Sequence, residues 1–114
     1  MNRPWLSSYP KGINADIDPL QYSSLLGIFD SSVKKYAALP AFSNFGHSLT
    51  YRELEQKTRD LAAYFQSVPN LCKGDRIAIM MPNLLQNPIA IFAALRAGLT
   101  VVNINPLYTA RELH

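Results

Sequence analysis

Two apolar runs on either side of a helical pattern restrict the fold of this chain more than any other feature. One begins at Arg76 and ends at Met81, the other extends from Leu99 to Ile104, and neither alternates apolar with polar residues. A continuous apolar run of strand length is typical of a strand covered on both faces, as in a parallel sheet. The sequence therefore predicts an α/β fold containing a parallel strand–helix–strand unit with a right-handed crossover.

The helix between these strands has a well-marked end and an ambiguous start. It extends through Leu95-Arg96-Ala97, and Gly98 follows as the glycine expected just past a helix C-terminus. At its start, Asn83 caps a helix that is kinked at Pro88, or Asn87 caps a helix in which Pro88 is the first residue. Both alternatives remain open.

A helix is also predicted to begin at Ser24, because its apolar residues recur at helical spacing. The residues of this stripe are Leu25, Phe29, Val33 and Tyr36. Gly27 weakens the first turn, and Leu39-Pro40 ends the helix because the residue before a proline is pushed out of the α region. Two short strands follow, 41–45 and 48–50, joined by a tight turn at Gly46-His47.

The segment from Tyr51 to about Ser67 has the most complete set of helix signals. Thr50 and Glu53 form a capping box, and Glu55 and Arg59 form a favourable pair one turn apart on the wet side. The predicted buried stripe consists of Leu54, Thr58, Leu61, Ala62 and Phe65.

The same start signals recur at the C-terminus, where Thr109 and Glu112 form a second capping box and Tyr108 and Leu113 a hydrophobic staple. Only about one turn of chain follows, whereas an isolated helix needs ~12 residues to approach stability. We therefore expect residues 1–114 to be the front part of a longer protein. Residues 23–114 are assigned to the first part of an α/β subdomain, truncated inside a helix.

Residues 1–22 contain three prolines and no periodic pattern, which predicts an extended N-terminal arm. Trp5 and Tyr9 lie near Arg3 and Lys11, a combination found at membrane interfaces. Aromatic residues on an arm more often dock onto their own fold or a partner subunit, and we favour docking. A homodimer and a peripheral contact with the inner membrane are both compatible with this pattern.

Composition and charge exclude several functional classes. The net charge is +3, but the basic residues are scattered rather than clustered into the stripe that a nucleic-acid surface needs. No signal peptide or membrane-length apolar run is present, which makes the cytoplasm the expected location. Cys72 is the sole cysteine, and a partly buried free thiol is a better interpretation than a nucleophile.

No catalytic, cofactor-binding or metal-binding residue can be assigned from the residues themselves. The glycines are too dispersed for a phosphate-binding loop, and the turn Met81-Pro82-Asn83 after the first parallel strand contains none. His47 is interpreted as a turn residue, and Glu53 and Glu112 as helix caps. By these criteria the chain is part of an α/β protein without a visible active site.

Several segments nevertheless resemble one known family in order and spacing. They are Trp5, Tyr9-Pro10 and Gly12 in the arm, then Pro40-Ala41-Phe42, Leu49-Thr50-Tyr51-Arg52-Glu53-Leu54, Lys73-Gly74-Asp75-Arg76-Ile77-Ala78-Ile79-Met80-Met81-Pro82-Asn83, Leu95-Arg96-Ala97-Gly98 and Asn103-Ile104-Asn105-Pro106-Leu107-Tyr108-Thr109-Ala110-Arg111-Glu112-Leu113. Together they resemble the N-terminal region of the adenylate-forming acyl-CoA synthetases, most closely bacterial long-chain fatty-acid–CoA ligases. The last segment and the arm narrow the resemblance to the fatty-acid branch.

The resemblance implies an incomplete N-terminal subdomain of the adenylate-forming enzyme fold. It also implies an intact parent that uses ATP and Mg²⁺ to convert a long-chain fatty acid to an acyl-adenylate and then transfers the acyl group to CoA. The family's phosphate loop with its lysine, its Thr-Glu pair, its ribose-binding aspartate and its C-terminal-domain lysine are all expected beyond His114. The resemblance thus places no catalytic residue in this chain, which is expected to be inactive by itself.

Two other interpretations remain open. The chain is a stand-alone α/β binding or assembly module that docks through its aromatic arm, or it belongs to another adenylate-forming ligase, such as a luciferase-like or aryl-acid enzyme.

Overall fold

The computed structural model describes residues 2–113, which form an α/β fold with two small sheets in this part of the chain. The helices are α1 (Leu25–Tyr36), α2 (Tyr51–Ser67) and α3 (Gln86–Arg96), and the strands are β1 (Pro40–Asn44), β2 (His47–Thr50), β3 (Arg76–Ile79) and β4 (Thr100–Asn103). Short 3₁₀ helices occupy Pro4–Ser8 and Ala110–Glu112. The predicted α/β class is confirmed.

The strand–helix–strand unit forms as predicted. β3 and β4 pair in parallel, from Arg76 opposite Thr100 to Ile79 opposite Asn103, and α3 connects them. The two strands are shorter than the apolar runs that predicted them.

The prediction that this sheet is covered on both faces is wrong within the described residues. Ile79 is buried, whereas Ala78 and Val102 are exposed. Ala78 and Val102 are opposite each other in the parallel register and therefore lie on the same face. An apolar run shows that a strand can be covered on both faces, but the covering element need not lie in the same stretch of sequence.

Both predicted starts of α3 are wrong. Leu85 precedes the helix without a side-chain cap, and Pro88 is its third residue. A proline there requires no kink, because the first four N–H groups of a helix have no intrahelical partner. Asn87 lies inside the helix, and its Nδ2 donates to the carbonyl oxygens of Met81 and Pro82 at 3.4 and 3.3 Å.

The end of α3 is confirmed at Gly98, whose φ is +81°. The N–H of Gly98 donates to the Leu95 carbonyl at 3.1 Å, and that of Leu99 to the Ala94 carbonyl at 2.9 Å. This pair of bonds is the Schellman motif, which satisfies the last carbonyls of the helix and turns the chain into β4.

The antiparallel hairpin β1–β2 has a two-residue turn at Phe45-Gly46, with φ values of +47° and +77°. Two positive φ values match the twist of the flanking strands. His47 is paired with Asn44 as the first residue of β2, so its predicted place in the turn is wrong by one position.

α1 begins after Ser24, as expected, and the Ser24 Oγ accepts the Gly27 N–H at 3.0 Å. Only Phe29 of its predicted stripe is buried, and Leu25 is exposed. In α2, whose capping box and Glu55–Arg59 pair are confirmed, the most buried residues of the stripe are Leu54, Thr58 and Ala62. Leu61 and Phe65 are half-buried.

The core forms mainly where α2 packs against α3. The buried residues are Phe29, Leu54, Thr58, Ala62, Ile79, Ala90, Ala93, Ala94 and Leu99. α3 supplies only alanines to this set, and small side chains at a helix contact allow the helix axes to approach closely.

The arm is less extended than predicted, because Pro4–Ser8 form a 3₁₀ turn with proline at its start. Its side chains remain at the surface: Trp5 is 55% exposed, Ile17 91% and Leu20 87%. Trp5 and Tyr9 (43% exposed) are therefore only partly covered by their own fold, and docking onto a partner subunit stays a prediction.

The second capping box is present at Thr109, whose N–H and Oγ–H both donate to the Glu112 carboxylate at 2.8 Å. The turn it caps is a 3₁₀ turn of three residues, Ala110–Glu112, rather than the predicted start of an α-helix. Tyr108 and Leu113 are exposed, and His114 lies outside the described residues.

Thr50→Ala should lower the free energy of unfolding by about 1 kcal/mol, because Thr50 Oγ1 accepts the Glu53 N–H at the start of the 17-residue helix α2. Thr109→Ala should cost far less, since the turn that it caps is short and exposed. Urea denaturation of both variants measures the difference, and equal losses would contradict it.

Gly98→Ala should destabilise the chain by about 1 kcal/mol or more, since alanine at positive φ is strained and its Cβ would meet Lys73 Cγ at 2.9 Å. Gly27→Ala is the matched control. It lies inside α1, its Cβ would meet only the hydroxyls of Ser23 and Ser24 at 3.4 Å, and it should raise stability by up to about 1 kcal/mol. Thermal unfolding curves in which both variants shift the same way would contradict this assignment.

Candidate functional site

The best-formed concave surface is a groove of about 410 Å³ between the hairpin and the N-terminal half of α3. Its lining residues are Phe42, Ser43 and Asn44 from β1, Asn83, Leu84 and Leu85 from the loop after β3, and Asn87, Pro88, Ile91 and Phe92 from α3. The groove thus lies beside the carboxyl end of a parallel strand, where ligands bind in open α/β sheets.

A second, smaller hollow of about 220 Å³ lies on the other side of Phe42 and Phe92, which line both spaces. It is bordered by α1, β1 and α2. The Phe92 ring stacks on that of Phe29, with centroids 4.2 Å apart and planes 13° from parallel. This stack joins α1 to α3, and its Phe92 ring forms part of the wall between the groove and the smaller hollow.

Amide side chains hold the rim of the groove in place. Asn44 Nδ2 donates to the Asn83 carbonyl oxygen at 2.6 Å and so ties the hairpin to the loop after β3. On the opposite side of that loop, Asn87 holds the carbonyls of Met81 and Pro82. One signal of this arrangement was present in the sequence, namely a proline and an asparagine directly after an apolar run. Nothing in the sequence indicated that Asn44 would meet them.

The chemistry available in the groove is limited to apolar contact and neutral hydrogen bonds. None of its lining residues carries an ionisable side chain, so the groove has no general acid, general base or anionic metal ligand. It can receive an apolar group beside a few amides. Without a further contributor it cannot activate a carboxylate or a phosphate.

The titratable groups with shifted pKa values lie outside the groove. The pKa of Glu53 is lowered by the Thr50 N–H and hydroxyl, and that of Glu112 by the same two groups of Thr109. The pKa of Lys35 is raised by its contact with the Tyr36 side chain. The shifts of Glu53 and Glu112 therefore reflect helix caps, and the shift of Lys35 reflects a side-chain pair at the surface.

Cys72 and His47 were considered in the sequence analysis as a free thiol and a turn residue. Both are exposed, and they are far apart in the chain. The expectation that Cys72 is partly buried is wrong. Its backbone N–H donates to Asp75 Oδ2 at 2.7 Å, which folds the loop before β3. Across residues 2–113, no group of three acidic, histidine or cysteine side chains is placed to hold a metal ion.

A long-range ion pair that the sequence did not predict connects α1 to α3. Arg96 Nη2 donates to Asp30 Oδ1 at 2.8 Å, and the guanidinium lies over the Phe29 ring. The Nε of Arg96 is buried without a hydrogen-bond partner among the described residues. This pair links α1, which borders the smaller hollow, to α3, which lines the groove.

No helix in the described part of the chain has the length and apolar character needed to cross a bilayer.

Comparison with known proteins places these features in a family. A model of the family described as AMP-binding enzyme matches residues 29–114. A long-chain-fatty-acid–CoA ligase of Yersinia pestis is 55% identical over 113 residues, covering 99% of this chain and 20% of that protein. The enzyme of the same name from Bacillus subtilis is 39% identical over 97% of this chain and 20% of its own. The chain therefore spans about a fifth of the length of these relatives.

Solved structures with the same fold include the N-terminal subdomain of Klebsiella oxytoca NpsA in complex with anthranilyl-AMSN. It has a TM-score of 0.76 and 28% identity, over 82% of this chain and 24% of that one. A benzoate CoA ligase from Burkholderia xenovorans has a TM-score of 0.67 at 28% identity, over 72% of this chain and 17% of its own. The arrangement of β3, α3 and β4 thus occurs in an N-terminal subdomain, as the sequence predicted.

Asn44→Ala should lower the free energy of unfolding by about 1 kcal/mol, because it removes the bond from the hairpin to the Asn83 carbonyl. Hydrogen exchange should accelerate at the hairpin amides while the amides inside α2 stay protected. Asn14→Ala, in the exposed arm, is the matched control and should change neither quantity. Unchanged hairpin exchange in Asn44→Ala would show that the link does not hold the groove together.

Proposed function

The chain belongs to the family of AMP-binding enzymes, and we propose that it is the front part of a long-chain fatty-acid–CoA ligase. The intact enzyme would convert a long-chain fatty acid and ATP to an acyl-adenylate and pyrophosphate, and then transfer the acyl group to CoA. The observation that carries this proposal is the 55% identity to such a ligase along 99% of the chain.

The other adenylate-forming ligases fit less well. A nonribosomal peptide synthetase of Aspergillus lentulus is 30% identical over 75% of this chain, and the benzoate CoA ligase is 28% identical over 72%. Identity to the fatty-acid ligases is higher and extends through the arm. These differences favour a fatty acid over an aryl or amino acid as the substrate.

ATP, Mg²⁺ and CoA are the proposed cofactor and co-substrates of the intact enzyme. The described residues do not fit a site for ATP and Mg²⁺, because they offer no cluster of metal-binding side chains and the groove is uncharged. Stabilising charge on a reacting phosphate requires cationic or N–H donors aimed at it. We therefore assign no catalytic, cofactor-binding or metal-binding residue to this part and place those groups in the rest of the enzyme.

The role proposed for residues 23–114 is to build the first part of the N-terminal subdomain. The Schellman motif at Gly98 turns α3 into β4, and the Asn44–Asn83 bond sets the hairpin against the loop after β3. The open face of β3 and β4 gives the rest of the enzyme an apolar surface on which to pack.

Three further proposals concern organisation and location. Residues 1–22 act as an arm that is separate from the subdomain. The enzyme is cytoplasmic, with peripheral contact to the inner membrane, and it forms a homodimer. The exposed apolar side chains of the arm support an intermolecular contact.

The full-length ligase should release pyrophosphate from ATP and Mg²⁺ only when a fatty acid is present, and form a thioester once CoA is added. Palmitate should support faster release than acetate at equal low concentration, since each buried CH₂ contributes about 0.8 kcal/mol to binding. Residues 1–114 alone should release none. A coupled pyrophosphate assay on both proteins measures this.

Reactions without fatty acid and reactions without Mg²⁺ are the controls. Pyrophosphate release by residues 1–114 alone would contradict the proposed division of the enzyme. A full-length protein that prefers benzoate or an amino acid to palmitate would contradict the substrate class.

A further inference from the structure

Phe45 combines an exposed aromatic ring with a strained backbone. It is the first residue of the two-residue turn between β1 and β2, where its φ is +47°, and it is 86% exposed. A bulky side chain is disfavoured at positive φ, and asparagine or aspartate normally precedes the glycine of such a turn. The part of the chain that the structure describes therefore offers this ring almost no packing to offset the strain. A backbone outlier of this kind indicates a role for the side chain in a contact elsewhere.

The Phe45 ring lies at one end of a longer apolar surface. Phe45 borders a hollow of about 400 Å³ together with Leu84 and Leu85. These two leucines and Asn44 also line the groove of about 410 Å³ between the hairpin and α3, so the two spaces adjoin. We call their combined apolar lining the hairpin surface, which consists of Phe42, Phe45, Leu84, Leu85, Pro88 and Ile91.

The hairpin surface is almost free of ionisable groups. Among the residues that line the two spaces, only His47 has an ionisable side chain, and it borders only the hollow beside Phe45. Apolar patches of this kind are typical of permanent interfaces, which resemble a domain core cut in half, whereas transient interfaces are more polar. An aromatic ring on such a surface is suited to anchor a contact by filling a pocket of the partner. A permanently bound protein segment therefore fits this surface better than a polar ligand or a dissociating partner.

The chain leaves β4 at the edge of the sheet beside which the groove lies. β3 and β4 are parallel, so their carboxyl ends meet at one edge, and the groove lies next to it. The Ile104 N–H donates to the Ile79 carbonyl at 3.0 Å, which keeps the chain at this edge after β4. Residues 1–114 cover only 20% of the Yersinia pestis ligase, so most of such a polypeptide lies outside them. A segment tethered near the groove reaches it at a high effective concentration, which a separate molecule lacks.

We propose that the hairpin surface is the docking site for an apolar segment of the same polypeptide that follows residue 114, and that Phe45 is the anchor of this contact. The proposal rests on the proposed function, because it takes residues 1–114 to be the front part of a ligase. In the intact enzyme the Phe45 ring is buried against this segment, and its burial offsets the strain of the turn. The contact lies within one chain and needs no substrate.

Two matched variants of the full-length ligase test the anchor. Phe45→Asn supplies the Asn-Gly pair that the turn itself prefers, whereas Phe45→Leu keeps an apolar side chain at the same positive φ. If Phe45 is docked, Phe45→Asn should melt about 2 °C or more below Phe45→Leu, because it loses the apolar contact. If the ring stays exposed, the order is reversed, because asparagine tolerates the left-handed conformation. Differential scanning fluorimetry measures both melting temperatures, and a Phe45→Asn variant that melts at or above Phe45→Leu would overturn the anchor.

Photo-crosslinking of the full-length ligase identifies the occupant. A photoreactive phenylalanine analogue at position 45 should couple, on illumination, to a peptide of the same chain that lies after residue 114, and mass spectrometry of the digest identifies that peptide. An unilluminated sample is the control. Coupling between two chains, coupling only within residues 1–114, or no coupling would each overturn the docking site.

Pyrophosphate release with palmitate, measured on the unaltered full-length protein, separates the two proposals. Palmitate activation without the expected crosslink overturns the docking site and leaves the ligase assignment standing. The expected crosslink in a protein that does not activate fatty acids supports the docking site and contradicts the ligase assignment alone.

Discussion

The contact between α2 and α3 is the interaction on which the rest of this structure depends. The chain consists of two locally folded units: α1, the hairpin and α2 come first, and β3, α3 and β4 follow. Each unit is too small to bury a core by itself. The buried side chains at the contact are Leu54, Thr58, Ala62, Ala90, Ala93 and Ala94. Loss of this contact would leave two short, two-stranded sheets without support.

The alanines of α3 make this contact possible and also limit it. They let the helices approach, yet each contributes little apolar area, and burial stabilises by about 25 cal/mol per Å². Longer-range links supplement them, namely the Phe29–Phe92 stack and the Arg96–Asp30 pair. The pair places a guanidinium nitrogen in a buried position without a partner among the described residues, and an unpaired buried donor has an energetic cost. The ion pair therefore carries an energetic cost that the apolar packing of the helices does not.

Features set by neighbouring residues could be predicted from the sequence. The capping box at Thr50 and the Gly98 terminator each depend on a few residues close in the chain, and the parallel pairing depends on one uninterrupted strand–helix–strand segment. All three are confirmed. The start of α3 could not be predicted, because an asparagine can cap a helix or bind carbonyls from inside it, and tertiary contacts decide which. Asn87 does the latter.

The groove could not be predicted for the same reason. Its rim depends on the bond from Asn44 to the Asn83 carbonyl, between residues 39 positions apart. Its position beside the carboxyl end of β3 does follow from the predicted strand–helix–strand unit, although its lining does not. Family resemblance added what local patterns could not, because it drew on the whole order of segments.

The half-covered sheet and the exposed arm have different physical origins. Strands with apolar residues on both faces are suited to a larger sheet with helices on each side. The open face of β3 and β4 is therefore suited to being covered by a helix or strand of the same polypeptide. The arm has no periodicity that would match a strand or helix face. Its first half contains Pro4 and Pro10, and the aromatic residues Trp5 and Tyr9 lie between the basic residues Arg3 and Lys11. A segment of that kind does not offer the regular row of backbone groups or the alternating side chains that packing into a sheet in fixed register requires.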